Sequence, residues 1–142
     1  MLDSVTTPTT LGEILARNIA AERNRRDLQQ QDLADRMRDL GWKWVRQTVG
    51  EVENNRRRLT AEEVLALSIA LETSIPALLP PVDGDTVVVL PSGAELSGTA
   101  VQMLARGLAK IGVTWYRNKA TFNVPAASVE RFRQTFGEGK PE

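Results

Sequence analysis

The chain of 142 residues contains no cysteine and no histidine. The first absence excludes disulfides, thiol nucleophiles and thiolate metal sites. The second removes the usual general base, the imidazole ligand and the group that titrates near neutrality. The familiar catalytic triads and zinc sites are thereby ruled out, and no catalytic, metal-binding or cofactor-binding residue is expected. Long apolar runs are also missing: none approaches the roughly 18 residues of a membrane helix. The polar start MLDSVTTPTT lacks the basic and apolar regions of a signal peptide. The expected location is intracellular, with no membrane partner. Net charge is absent too, because 18 Lys+Arg balance 18 Asp+Glu. Taken whole, charge gives no hint of a nucleic-acid partner.

What is present is ordinary for a globular chain, 42% hydrophobic and 25% charged, at a length that suits one compact domain or two small ones. The zero charge divides unevenly. Residues 1–58 carry 11 basic and 9 acidic side chains, net +2; residues 59–93 carry none and 5, net −5; residues 94–142 carry 7 and 4, net +3. From Arg36 to Arg58 there are 7 basic residues against Asp39, Glu51 and Glu53. Such a local excess suits either an electrostatic footprint or a solvated helix face.

From Leu11 to Leu79 the periodicity is helical. Leu11, Ile14, Leu15 and Ile19 form an apolar stripe that predicts a helix over 11–26. Leu33, Ala34, Met37 and Leu40 predict a second over 30–40, closed by Gly41. Val45, Val49 and Val52 repeat at helical spacing and predict a short third over 45–54, with Arg46, Gln47, Thr48 and Glu51 on its other face. Thr60 and Glu63 form a capping box ahead of a strongly apolar fourth helix, Val64 to Leu71, and Ile75 to Leu79 allows one more turn. Two helices joined through a glycine turn make a helix-turn-helix candidate, in which the second helix offers polar side chains to the major groove.

Particular residues carry the reading further. Gln30-Gln31-Asp32-Leu33-Ala34, then Gln47 through Asn54, then Arg56 and Arg57, and downstream Leu59 to Leu71 followed by Ser74 to Leu79, resemble the Cro/C1-type helix-turn-helix family, also called the XRE family. The resemblance covers residues 11–79 and implies a lambda-repressor-like domain of five helices, with helix three in the major groove of operator DNA. The stretch from Ala34 to Val49 is longer than in compact members, which leaves the docking angle open. Trp42 and Trp44 alternate with Lys43 in that stretch, either as a lid over the junction of helices two and three or straddling a sugar-phosphate edge.

The resemblance puts Arg46, Gln47 and Glu51 on the base-reading face. Arg can bond both guanine acceptors, Gln can pair with adenine, and Glu can accept from cytosine N4. Gln30, Thr48, Asn54, Arg56, Arg57 and Arg58 are the expected phosphate contacts, Gln30 because it opens helix two, with simple capping as its rival role. Glu53 is expected to pair with Arg23 of helix one. Gly50, weak inside a helix, implies close approach to another helix or to DNA.

The expected domain bounds are a flexible N-terminus over 1–10, the helix-turn-helix domain over 11–80, a Pro/Gly/Asp linker over 81–85, a second module over 86–137 and a tail over 138–142. In the second module, Thr86 to Leu90 reads as a buried strand, residues 98–111 as a helix with the stripe Val101, Leu104, Leu108 and Ile111, Val113 to Val124 as a hairpin turning at Arg117-Asn118-Lys119, and Pro125 onward as a last helix. This small α+β module resembles no known family. It suits dimerisation or packing, a second DNA contact through Arg117 and Lys119, or a small-ligand pocket. The reading is a cytoplasmic, nucleoid-associated transcriptional regulator of bacterial or phage origin. It is expected to act as a repressor on double-stranded DNA, as a homodimer on a palindromic operator. The rival reading, from a different class, is an adaptor or antitoxin-type partner whose helix-turn-helix is a protein surface. An enzyme is not expected, and no small-molecule effector is identified.

Overall fold

A computed structural model describes residues 8–83, 85–107, 112–116, 119–123 and 126–136. Two compact units emerge, residues 12–78 and residues 1–11 with 79–142. The first is helical: α1 (Leu11–Arg25), α2 (Gln30–Asp39), α3 (Arg46–Glu53), α4 (Ala61–Ala70) and α5 (Ile75–Leu78). Its core gathers Ile19 of α1, Leu33 and Met37 of α2, Val49 and Val52 of α3, Leu67 of α4 and Leu78 of α5, all fully or almost fully buried. The five-helix domain read from the sequence is therefore present.

The first four helices stop in the same way. Each is followed by a residue in the left-handed region, Asp27 (φ 54°), Gly41 (φ 107°), Asn55 (φ 54°) and Glu72 (φ 52°). After α2 the N–H of Gly41 donates to the Arg38 carbonyl and that of Trp42 to the Met37 carbonyl, and the same pair of bonds recurs after α1, α3 and α4. These Schellman closures satisfy carbonyls a helix end otherwise leaves unpaired.

Between α2 and α3 the connection runs over residues 40–45. Trp44 is 2% exposed and belongs to the core, while Trp42 packs partly buried against it. Of the two roles weighed for these tryptophans, the lid is the one observed. Val45 departs from the sequence reading: Val49 and Val52 are buried, but Val45 is 53% exposed. It stands at the N-cap with extended backbone, φ −121° and ψ 172°, so its side chain does not continue the helical stripe.

The second unit contains β1 (Val87–Val89), β2 (Glu95–Ser97), α6 (Gly98–Arg106), β3 (Gly112–Tyr116), β4 (Lys119–Asn123) and α7 (Ala126–Phe136). Strand β2 is absent from the sequence reading. It pairs antiparallel with β1, Val88 opposite Leu96, across the turn at residues 91–93. The valine run is thus one arm of a hairpin, with Val88 alone of its three residues fully buried. Thr9, placed by sequence in a flexible segment, donates its N–H to the Val87 carbonyl and accepts from the Val89 N–H. The helix expected over 98–111 stops earlier, because Gly107 turns left-handed at φ 63°. Its apolar stripe is also corrected: Leu104 is 50% exposed and the buried side chains are Thr99, Ala100, Gln102 and Met103; Leu108 and Ile111 lie outside the described residues. Val82, in the expected linker, is buried against Met103 and Phe132. The hairpin of β3 and β4 pairs from Gly112 with Asn123 to Tyr116 with Lys119.

Candidate nucleic-acid interface

Helix α3 is only eight residues long, and its two buried valines decide what it shows. With Val49 and Val52 turned into the core, Arg46, Gln47 and Glu51 are left exposed. The helix starts without a polar N-cap side chain; the Thr48 hydroxyl instead accepts the Val45 N–H at 3.2 Å. At its other end Asn54 donates Nδ2 to the Gly50 carbonyl at 2.8 Å. Helix α2 brings its first residue, Gln30, against this surface. Together Gln30, Arg46, Gln47, Gly50, Glu51, Asn54 and Arg56 line an open cleft of about 450 Å³.

Beneath the cleft lies the ion pair expected from sequence. Arg23 of α1 donates Nε and Nη2 to the two oxygens of Glu53 at 2.6 and 3.1 Å, and Nη1 to the Leu28 carbonyl at 2.7 Å. The side chains are 12% and 8% exposed, so this fork is a partly buried, bidentate contact of the stronger kind. Gln30 donates Nε2 to the same Glu53 at 3.1 Å, which ties the start of α2 to the end of α3.

Among the described residues Gly50 faces the start of α2 without being crowded by it. A Cβ built there meets only the Gln30 amide, at 3.9 and 4.0 Å, an ordinary contact. Of the two reasons offered for this glycine, close approach of another helix is therefore removed.

The three consecutive arginines separate. Arg56 and Arg58 are exposed. Arg57 lies over the Trp44 ring at 5.2 Å and donates Nη2 to Glu63 Oε2 at 2.8 Å. Glu63 is 3% exposed and also receives the Trp44 Nε1–H at 3.2 Å and the Thr60 N–H at 2.9 Å. Burial pushes its carboxyl up, but the Arg57 hydrogen bond, the Thr60 N–H, the Arg57 charge and the Trp44 N–H together outweigh it and hold the group below its ordinary value. Sequence reading saw Glu63 as a helix cap alone. Nothing in its spacing announces Arg57 or Trp44 as partners.

Among the seven cations from Arg36 to Arg58, Arg36 donates to the Ala70 carbonyl and pairs with Glu72, Arg38 pairs with Asp35, and Arg57 with Glu63. Lys43, Arg46, Arg56 and Arg58 are exposed and have no ion-pair partner among the described residues. In the second unit, Arg117 lies outside the described residues, and Lys119 is seen only as a backbone position in β4.

Two short helices in succession, the second presenting polar side chains and flanked by cations that have no ion-pair partner among the described residues, define a helix-turn-helix domain. The family model described as Helix-turn-helix matches residues 19–78. Over those residues the domain is similar to that family, the Cro/C1 or XRE type, whose members are DNA-binding transcription regulators and generally not enzymes. No curated protein and no solved structure matches the chain. Among the described residues no helix is long and apolar enough to cross a membrane.

Proposed function

We propose that the chain is a sequence-specific transcriptional repressor that binds a palindromic operator as a homodimer, with α3 in the major groove. The observation that carries this reading is the exposed surface of α3. Arg46, Gln47 and Glu51 stand together on the cleft shared with Gln30, and unpaired Arg56 and Arg58 follow. Arg46, Gln47 and Glu51 have the donors and acceptors to separate base pairs by direct readout. Gln30, Thr48, Asn54, Arg56 and Arg58 take the phosphate role that fixes register. The Thr48 hydroxyl accepts from Val45 and keeps its own proton to donate. Arg57 is assigned differently from its neighbours: engaged with Glu63 and Trp44, it holds the fold and reaches phosphate only by leaving both.

Two half-sites multiply a discrimination that each bidentate contact supplies only at about 1–3 kcal/mol, which favours a dimer. Leu65 and Ile69, four residues apart on α4 and each more than half exposed, provide an apolar face for a protein contact. The same face supports the second reading, an adaptor or antitoxin-type partner. Enrichment of duplexes from a random pool by the full chain tests the proposal. The expected product is a pair of inverted half-sites one helical turn apart; Arg46→Ala and Gln47→Ala flatten preference at individual base pairs, and Arg56→Ala weakens every duplex alike. A chain that binds no duplex in a salt-sensitive way, even at low salt, is not a DNA-binding regulator.

A further inference from the structure

The backbone of the valine at the head of α3 caps the helix, but its side chain takes no part in the core. Val45 is 53% exposed and stands outside the core that takes Val49 and Val52. Its side chain is also a poor helix cap: valine offers no acceptor to the first turn, and the position is otherwise favoured by Ser, Thr, Asp or Asn. The cap contact at this end runs the other way, from the Val45 N–H to the Thr48 hydroxyl. Neither burial nor capping accounts for a β-branched apolar side chain here. Its immediate neighbours are Arg46 and Gln47, both on the lining of the cleft.

The residues at the N-terminal end of a helix-turn-helix recognition helix are those that reach base edges. Among the groups that base pairs display in the major groove, the one apolar feature is the thymine 5-methyl. Valine is stiff about χ1, so ordering it against a methyl group loses little rotamer freedom. We infer that Val45 is a specificity-determining residue that reads the 5-methyl of a thymine in each half-site, beside the bases read by Arg46 and Gln47. This assignment rests on the DNA-binding reading above and names one base that reading leaves open.

The test uses the full chain and its enriched duplex, with each thymine replaced singly by deoxyuridine, which deletes the methyl and keeps every hydrogen-bonding group. For wild type, one position per half-site loses binding by about fourfold, the equivalent of one buried methyl group. For Val45→Ala that position becomes insensitive to the replacement, while other positions keep their wild-type response. Equal thymine-to-uracil profiles for wild type and Val45→Ala overturn the inference, as does a wild type indifferent to every replacement. Because Val45 is exposed, the variant is expected to melt with wild type. Should it not, the wild-type scan alone still decides against the inference if no thymine responds. Absence of binding to any duplex overturns the DNA-binding reading itself, whereas binding without a methyl effect removes only the role of Val45.

Discussion

Gly50 is the residue at which stability and the proposed DNA contact can be tested against each other. In the interior of a helix a glycine is about 1 kcal/mol less favourable than alanine, and here the space for a methyl group exists, with only the Gln30 amide at ordinary contact distance. Gly50→Ala is therefore expected to raise the unfolding free energy by about 0.5–1 kcal/mol, read by denaturant titration. The added methyl sits on the lining of the cleft that Gln30, Arg46 and Glu51 share. If a phosphate or base edge enters there, the same variant binds the enriched duplex about tenfold more weakly, a figure on the scale of one lost hydrogen bond. More stable and weaker-binding is the signature of a glycine kept for its partner. A variant that is more stable and binds undiminished removes DNA approach as the reason for Gly50.

At the scale of elements, the start of α4 does more than cap a helix. Thr60 and Glu63 form a reciprocal box, with the Glu63 N–H donating to the Thr60 hydroxyl at 3.1 Å and the Thr60 N–H to Glu63 at 2.9 Å. The same carboxylate anchors Trp44 before α3 and Arg57 after it, so one buried anion ties both ends of α3 to α4. Glu63→Gln keeps the size and weakens charge-assisted bonds, which is expected to lower stability by about 2 kcal/mol at neutral pH. The sign of the pH dependence follows from the carboxyl lying below its ordinary value. Its contribution is complete above the unfolded-state range and is lost as pH falls through the folded-state value. Thermal melts of wild type and Glu63→Gln therefore converge on acidification. A gap that stays constant from neutral pH to well below the carboxylate range contradicts an ionised Glu63 in the fold.

This network also marks where sequence stops being informative. The box itself was legible, because Thr60 and Glu63 stand three apart ahead of an apolar run. Likewise the pairing of Arg23 with Glu53 followed from the family resemblance. The partners Trp44 and Arg57 were not, since they reach Glu63 through folding and no spacing rule links them. Helix ends divide similarly: Gly41 advertises a left-handed residue, whereas Asp27, Asn55 and Glu72 adopt that conformation without being glycine, held by the closing backbone bonds. Strand β2 escaped notice because Glu95-Leu96-Ser97 has little β-forming character, and its pairing is made by the backbone. Val45 was misplaced for a geometric reason. Periodicity counts residues as though all were helical, and the N-cap is not.

For the whole molecule, zero net charge is compatible with DNA because it sums unlike segments, and part of the acidic charge is paired within the fold. The stretch from 59 to 93 holds five acids and no base, yet Glu63 and Glu72 neutralise Arg57 and Arg36 within the fold. On the proposed reading, the exposed cations without an ion-pair partner among the described residues divide into Arg46 for bases and Arg56, Arg58 and, added to them here, Lys43 for phosphates. Three phosphates neutralised per domain give a slope of log affinity against log salt of about −2.7, and a dimer about −5.4. A fourfold rise in salt is then expected to weaken the dimer's binding about 10³-fold. Arg56→Ala removes one phosphate contact from each domain and flattens the dimer slope by about 1.8, while Gln47→Ala, which carries no charge, changes preference and leaves the slope alone. Arg57→Ala separates the two roles a cation can have here. If Arg57 belongs to the fold, that variant lowers stability and keeps the wild-type slope at temperatures where it remains folded. If it flattens the slope as Arg56→Ala does, the guanidinium leaves Glu63 and Trp44 for the phosphate backbone when DNA binds.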